Sequence, residues 1–195
     1  MIAFLNKNEL EKLRKEVQDY DSEREILIKK SRDVLKLSKQ IIYAVHRDEL
    51  KNAAELIKLI ELEKKKLEES AGYDQEMSTE GSYRVAIQEY VEALLYYHFV
   101  KEKVLKSKES LKVKADHYLL GLCDLTGELV RKAVFLAGKG QVTEVNQIKD
   151  LVDEIYGELL KFDFREPEMR KKFDAVKYSL LKLEDLVLDL KLKKK

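Results

Sequence analysis

Residues that interrupt helices are scarce in this chain, which has one proline and seven glycines among 195 residues. Leucine, lysine, glutamate and alanine are abundant instead, and this combination is typical of an all-α protein. A chain of this length is able to bury one continuous core. We therefore predict a single helical domain over residues 1–195.

Cysteine is also scarce, and a chain with one cysteine cannot form an intramolecular disulfide. Cys123 falls in an apolar stretch and is predicted to be an unreactive core residue, which suits a reducing compartment. No apolar run is long enough to span a bilayer. The first five residues are too few for a signal sequence and lack a basic leader. We expect a cytoplasmic protein that does not contact membranes.

An excess of charge of either sign is missing too, because 38 Lys and Arg residues balance 37 Asp and Glu residues. The chain as a whole therefore does not attract nucleic acid. Any binding of that kind has to come from local sorting of the charges.

What the chain does have is a long apolar stretch over residues 86–100, with no helix breaker and apolar or aromatic residues on almost every side. This pattern predicts a helix that is buried on several sides. Glu89 and Glu92 nevertheless lie within it. They are three residues apart, so their carboxylates point to nearly the same side of the helix and are able to reach a common ligand.

A second apolar stretch, residues 119–130, repeats this arrangement with Asp124 and Glu128 four residues apart. An ionised carboxylate in apolar surroundings costs several kcal/mol unless it is paired or bound to a metal. Arg131 and Lys132 have the spacing of an intrahelical ion pair with Glu128. Pairing is therefore one explanation for the second acidic pair.

Glu89 and Glu92 have no basic residue at such a spacing, and two interpretations stay open. The four acids form one divalent-cation site, or they are unrelated residues at the solvent edge. Hard oxygen ligands without a nearby His or Cys favour Mg²⁺ or Mn²⁺ over Zn²⁺.

The first predicted helix sorts its charges by face. Within a sector of roughly 80° on a helical wheel lie five basic residues and a tyrosine, opposite the apolar residues. Only Asp33 opposes this charge between Ile26 and Arg47. A charged face is usually only solvated, but sorting by sign favours phosphate binding, and a tyrosine there either stacks on a base or borders the core. The members of this basic stripe are Lys29, Arg32, Lys36, Lys39, Tyr43 and Arg47.

The periodicity of apolar residues predicts six helices. Their approximate limits are 6–45, 48–69, 82–106, 113–137, 141–160 and 168–192, and residues 70–81 form a loop. The polar segment 19–23 is a candidate bend or break in the first helix. Gly121 and Gly127 predict the close approach of a second helix or a ligand. His98 lies off the acidic face and is expected to be a hydrogen-bonded core or interface histidine.

The last predicted helix has a heptad seam of apolar residues, and Leu181, Leu186 and Leu188 lie off that seam. This helix and the one after Gly81 carry more apolar surface than six or seven helices would bury in one small chain. We therefore expect these two faces at the contacts of an oligomer. The seam consists of Phe173, Val176, Leu180, Leu183, Val187 and Leu190.

Four groups of motifs stand in a recognisable order along the chain. They are Lys30–Arg32 with Val45–Arg47, Gln88–Ala93 with His98–Phe99, Tyr118–Gly121 with Asp124–Arg131, and Arg170–Asp174 with Lys177–Tyr178 and Asp189–Leu190. In this set and order they resemble the translin family over nearly the whole chain. The sequence departs from the family pattern before the buried helix, where Gly81-Ser82-Tyr83-Arg84 stands in place of an Arg/His-rich segment.

This resemblance implies an all-α bundle of about seven helices, assembled into a hollow octamer that binds single-stranded RNA or DNA. One branch of the family, translin-associated factor X, uses acidic residues as a Mg²⁺-dependent endoribonuclease. The acids of this chain fit that branch, which implies an active subunit that forms a homo-oligomer by itself. Glu92, Asp124 and Glu128 would hold one or two Mg²⁺ or Mn²⁺ ions, and Glu89 would complete the site or orient water. The basic stripe, with Lys30 from the first motif, would hold the RNA backbone.

Other interpretations stay open at the level of sequence. An all-α nucleoside triphosphate pyrophosphatase also uses a Glu-x-x-Glu helix and a second acidic helix around Mg²⁺, although the second pair here is spaced by four with Asp first. A module that binds nucleic acid without cutting it, or a helical scaffold for proteins, is the non-enzymatic alternative. A di-iron bundle is disfavoured because no Glu-x-x-His occurs in the sequence.

Overall fold

A computed structural model describes residues 6–72 and 80–192 of the chain. Within these ranges the protein consists of seven helices and no strand, which confirms the all-α prediction. None of these helices is long and apolar enough to cross a membrane. The helices are α1 (Lys7–His46), α2 (Leu50–Ala71), α3 (Gly81–Glu102), α4 (Lys108–Leu111), α5 (Ala115–Gly138), α6 (Val142–Leu159) and α7 (Pro167–Leu192).

Helix α1 is continuous over 40 residues, so the polar segment 19–23 does not break it. The side chain of Asn6 caps its first turn by accepting a hydrogen bond from the Glu9 backbone N–H at 3.2 Å. Its second half packs against α2 and α3 through the apolar face opposite the basic stripe. Its first half, residues 6–23, is exposed along its whole length, and we call this part the arm.

Helix α3 lies at the centre of the bundle, between α1 on one side and α5 on the other. Its aromatic residues Tyr90 and Tyr96 are fully buried within the chain itself. The expectation that this helix presents an apolar face to another subunit is therefore wrong, because its neighbours in the same chain already cover it. Among the described residues, Val85 is an exposed apolar residue of α3, and other exposed apolar side chains lie on several elements, the arm and the outer face of α7 among them.

Helix α3 ends four residues before its predicted limit of 106. Lys103 takes a left-handed backbone conformation with φ of 58°, which stops the helix after Glu102. The short helix α4 follows, and its N-cap Ser107 accepts a hydrogen bond from the Ser110 backbone N–H. Periodicity missed α4 because one helical turn is too short to show a period.

The other predicted limits agree with the observed helices to within two residues. In the predicted loop 70–81, residues 70 and 71 still belong to α2, residue 81 begins α3, and residues 73–79 lie outside the described ranges. The heptad seam of α7 is buried or half-buried against α5 and α6 of the same chain, so the expectation that the seam lies at a subunit contact is wrong. Of the three off-seam leucines, Leu181 and Leu188 are exposed and Leu186 is half-buried.

The close approach predicted for two glycines of α5 is found at one of them. A Cβ added to Gly121 would lie 2.6 Å from Val91 Cγ1, so α3 and α5 touch here. At Gly127, no other helix of the described residues comes within 4 Å of an added Cβ, so no close helix approach is found at this position. The contact at Gly121 brings the acidic turns of the two helices side by side.

Candidate metal and nucleic-acid site

All four predicted acids line one cavity of about 470 Å³ between α1, α3, α5 and α7. Helix α3 supplies Glu89 and Glu92, and α5 supplies Asp124 and Glu128. The two helices pack against each other, with Gly121 against Val91, and both acidic pairs line the same cavity. The other lining residues are Lys39, Ile42, Tyr43, Arg131 and Lys172.

Glu92 is the most deeply placed acid of the cavity, with 8% of its surface exposed. Burial raises the pKa of its carboxyl to about 9, and the charges of Asp124, Glu89 and Glu128 add to this effect. Burial also raises the pKa of half-buried Glu89, although the ammonium of Lys39 opposes the shift. No hydrogen bond is among the main causes of either shift, and within the described residues neither carboxylate has an ion-pair partner. The sequence predicted that Glu89 and Glu92 have no basic partner nearby on their own helix. Among the described residues, no basic residue from another helix takes that place.

Asp124 is neutralised from another helix. The ammonium of Lys172, on α7, donates to both carboxylate oxygens, at 2.6 Å and 2.8 Å. The side-chain amide of Gln88 donates to Oδ2 from α3. A positive group tethered to α7 therefore already lies within the acidic cavity.

Glu128 is held from two directions, since His46 Nε2 contacts its Oε2 atom and Arg131 Nη1 lies 3.7 Å from the same atom. Arg131 is thus a confirmed intrahelical partner, whereas Lys132 is not. The buried ammonium of Lys132 lies 2.6 Å from Asp48 Oδ1 and lowers the pKa of that carboxyl through their hydrogen bond.

The donor set of the cavity fits a hard divalent cation, because it offers four carboxylates and, with Glu92, a buried acid that lacks a partner in the described chain. The carboxylates are not gathered around one point as they stand: within residues 6–72 and 80–192, no three or more His, Cys, Asp or Glu side chains form a group that would hold a metal ion.

The basic stripe lies on the exposed face of α1, beside this cavity. Arg32, Lys36, Lys39 and Tyr43 line a second cavity of about 450 Å³ together with Leu35 and Gln40. Lys39 and Tyr43 border both cavities. The acidic and basic parts predicted separately from the sequence are therefore neighbours.

Tyr43 is 57% exposed and also borders a third cavity, at the end of α1. The Arg47 guanidinium lies 5.6 Å from the centre of the Tyr43 ring and also donates to Glu49 at 2.6 Å. Lys29 is exposed on the same face. Lys30 does not belong to this face, because its ammonium points to α2 and donates to the Lys66 carbonyl at 3.1 Å.

His98 and Cys123, which the sequence analysis did not assign to the site, do not line the acidic cavity. His98 lies near Glu102, with Nδ1 and the carboxylate 3.3 Å apart, and does not line the acidic cavity. Cys123 is buried, and burial raises the pKa of its thiol to about 12, so it is unreactive as predicted.

Sequence reasoning gave no role to His46, Gln88 or Lys172. All three belong to motifs that carried the family resemblance, so their positions were marked without a chemical reason. His46 and Lys172 lie 82 and 48 residues from their acidic partners in sequence. No local spacing would have connected them.

Comparisons with known proteins identify the family of the chain. The profile of the Translin family matches residues 22–194. The chain belongs to the translin family. The nucleoside triphosphate pyrophosphatase interpretation is left without support, because the family match covers both acidic helices.

Among translin-family relatives, the Translin-associated protein X of Mus musculus is 27% identical over an alignment of length 212. The alignment covers 87% of this chain and 72% of that protein. An uncharacterised protein of Methanocaldococcus jannaschii is 31% identical over 151 residues, covering 74% of this chain and 64% of that protein.

Solved structures show the same fold. A crystal structure of apo-NeC3PO matches with a TM-score of 0.86 and 28% identity, over 97% of this chain and 100% of that chain. The structure of an AfC3PO complex with duplex RNA matches with a TM-score of 0.83 and 22% identity, over 95% of this chain and 97% of that chain.

Proposed function

We propose that this protein is a Mg²⁺-dependent endoribonuclease that cleaves single-stranded RNA within an oligomer of identical chains. The observation that carries the proposal is the shared cavity of Glu89, Glu92, Asp124 and Glu128, which opens beside a basic face of α1. The acids alone would suit any divalent-cation site. Their position next to Lys39 and the stripe is what suits a phosphodiester substrate.

In this proposal Glu92, Asp124 and Glu128 hold one or two Mg²⁺ ions, and Mn²⁺ would serve as a substitute. When bound, the metal would polarise the phosphate and neutralise the charge that develops during cleavage. Glu89 is less buried than Glu92 and faces Lys39, so its carboxylate is the better placed of the two to orient a water molecule or accept its proton.

Positive side chains surround the same cavity. Lys39, Arg131 and Lys172 approach it from α1, α5 and α7, and they would hold the phosphate oxygens on either side of the cleaved bond. Arg32 and Lys36 would hold the neighbouring phosphates without reading the sequence, because phosphates are the same at every nucleotide. The exposed ring of Tyr43 would stack on an unpaired base.

A member of the same fold has been solved with duplex RNA, which supports RNA as the class of ligand for this chain. The cavity geometry favours the single strand as substrate, because Tyr43 offers its ring to a base that is not already stacked in a helix. Single-stranded DNA would bind the same phosphate contacts.

The oligomer is supported by exposed apolar residues on two helices. Leu10, Leu13 and Val17 follow one another at three and four residues along the arm, and Leu181 and Leu188 lie seven residues apart on α7. Such stripes are typical of helices that pair with another helix. We propose a homo-octamer, because the resemblance to the translin family implies that assembly.

One observation favours a second candidate, binding of single-stranded nucleic acid without cleavage. Lys172 and His46 already engage two of the four acids, so part of the negative charge is offset without a metal. The basic stripe would then bind RNA by itself. The two candidates differ in the effect of divalent metal on the RNA.

A cleavage assay on end-labelled single-stranded RNA separates them. With Mg²⁺ the wild-type protein is expected to cut the strand, with EDTA it is expected only to bind, and Glu92→Ala is expected to bind without cutting. Glu102→Ala is the matched control, because Glu102 is also on α3 but pairs with His98 outside the cavity. Cleavage by Glu92→Ala at the wild-type rate would contradict the site. Binding without any cleavage by the wild type would select the second candidate.

A further inference from the structure

Three helices meet at the imidazole of His46. The residue is the last of α1, and 9% of its side chain is exposed. Its Nε2 atom contacts Glu128 Oε2 on α5, and its Nδ1 atom lies 3.0 Å from the hydroxyl of Tyr96 on α3. The ring also lies against the Tyr96 ring, with centres 4.8 Å apart.

The chemistry of these groups fixes which atom donates. An ionised carboxylate only accepts hydrogen bonds, so Nε2 carries the proton and its N–H donates a hydrogen bond to Glu128. In a neutral ring Nδ1 then accepts from the Tyr96 hydroxyl, and in a charged ring it donates to the Tyr96 oxygen. In both cases the two contacts hold the ring in one orientation.

The contacts select one oxygen of Glu128. His46 and Arg131 both approach Oε2, and neither contacts Oε1. The carboxylate is therefore held by one oxygen while it lines the acidic cavity with Glu92. In metal sites, a carboxylate ligand is commonly oriented by a hydrogen bond from a neighbouring residue, and the contact of Glu128 Oε2 with His46 fits this pattern.

We propose that His46 is a positioning residue that holds Glu128 so that its Oε1 atom is available to a divalent cation, and that Tyr96 locks the His46 ring for this purpose. The inference rests on the proposed function, because it assigns the cation to the same cavity. It adds a Tyr96–His46–Glu128 chain that links α1, α3 and α5 to the site.

Metal affinity tests this role separately from RNA cleavage. Mn²⁺ binding is measured by the loss of the free-ion electron paramagnetic resonance signal, on full-length protein without RNA. His46→Leu is expected to weaken Mn²⁺ binding by about 10-fold or more. His46→Gln keeps an N–H donor on a side chain of similar reach and is expected to restore most of the affinity. His98→Leu is the matched control, because it removes a half-buried imidazole that lies outside the cavity.

A second pair of variants, Tyr96→Phe and its control Tyr90→Phe, tests the same role if His46→Leu does not fold. Tyr96→Phe removes the hydroxyl that contacts His46, whereas Tyr90→Phe removes an equally buried hydroxyl that donates to Glu61 at 2.6 Å. Tyr96→Phe is expected to bind Mn²⁺ more weakly than Tyr90→Phe, with unchanged affinity for RNA in EDTA.

The outcomes separate the two proposals. If the wild type binds Mn²⁺ and both His46→Leu and Tyr96→Phe bind it as tightly as their controls, the role of His46 is overturned and the nuclease proposal stands. If the wild type binds no Mn²⁺, both are overturned. If His46→Leu loses affinity for Mn²⁺ and His46→Gln regains it, the positioning role is supported. A loss of affinity caused only by disturbed packing would not be reversed by restoring the N–H donor.

Discussion

Gly121 on α5 lies directly against Val91 on α3, and a Cβ added to the glycine would be 2.6 Å from Val91 Cγ1 and 2.8 Å from the carbonyl oxygen of Gln88. Real side-chain atoms do not approach so closely, so the two helices are in contact at this point only because position 121 has no side chain. On α3, Glu89 and Glu92 flank Val91, and on α5, Asp124 and Glu128 lie three and seven residues after Gly121. The spacing of the helices at Gly121 therefore sets the width of the acidic cavity.

Replacement of this glycine should separate α3 from α5. Gly121→Ala is expected to lower the free energy of unfolding by about 1–3 kcal/mol, because an extra methyl group in a close-packed contact forces the backbone to move. Gly127→Ala is the control on the same helix, where the added Cβ has open space and the better helix propensity of alanine should stabilise by about 0.5–1 kcal/mol. Urea unfolding followed by circular dichroism measures both. Equal effects of the two substitutions would contradict the close contact.

The raised pKa of Glu92 predicts how stability depends on pH without metal. Its folded-state pKa is about 9, above the value of about 4.3 in an unfolded chain. A group with a raised folded-state pKa stabilises the fold fully below its unfolded pKa, and this contribution is lost as the pH rises through the folded pKa. Metal-free wild type should therefore lose stability relative to Glu92→Gln as the pH rises between these two values, by a few kcal/mol.

Thermal unfolding in EDTA at several pH values measures this difference. Added Mn²⁺ should reduce the loss in the wild type and leave Glu92→Gln nearly unchanged, because the cation neutralises the ionised carboxylates in the folded state. A wild type whose stability follows that of Glu92→Gln at every pH would show that the pKa of this carboxyl is not raised in the fold.

The basic stripe predicts salt-dependent binding of RNA. Lys36→Glu with Lys39→Glu should weaken the binding of single-stranded RNA in EDTA, and the slope of log K against log salt should fall by about 1.4, since each lost phosphate contact on a single strand contributes about 0.7. Lys58→Glu is the control, because Lys58 is exposed on α2 and lines none of the cavities beside the stripe. Unchanged affinity in the double variant would mean that this face is only solvated.

The arm and the outer face of α7 predict where copies of the chain meet. Leu13→Asp with Val17→Asp should lower the particle mass measured by light scattering, because a charge placed in an apolar helix contact costs several kcal/mol. Leu181→Asp with Leu188→Asp tests the second face in the same way. Val104→Asp is the control, since Val104 is an exposed apolar residue in the connection between α3 and α4. An unchanged mass in both double variants would exclude these faces from the assembly.

Periodicity predicted the helices well because each helix buries a regular face, and the face of α1 that contains Val34 and Ile41 is an example. It failed for the surroundings of α3. The sequence shows that this helix is apolar on most sides, but not whether the covering surface belongs to the same chain. The structure shows that α1 and α5 cover it.

The same limit applies to the candidate site. Spacing within one helix predicted that Glu89 and Glu92 share a side, and that Arg131 would contact Glu128. It did not predict that Lys172 would reach Asp124, because that contact depends on how α7 crosses α5. The proximity of the two acidic pairs is likewise a result of the Gly121 contact and not of either helix alone.

The continuity of α1 has a further consequence. Forty residues of helix extend about 60 Å, and the arm takes up the first 17 of them, from Lys7 to Glu23, without a covering surface from its own chain. A chain that covers such a stripe with another copy of itself becomes more resistant to unfolding as it becomes more concentrated. In the proposed oligomer, dilution would therefore act as a denaturing condition, and melting temperatures measured at different concentrations would differ.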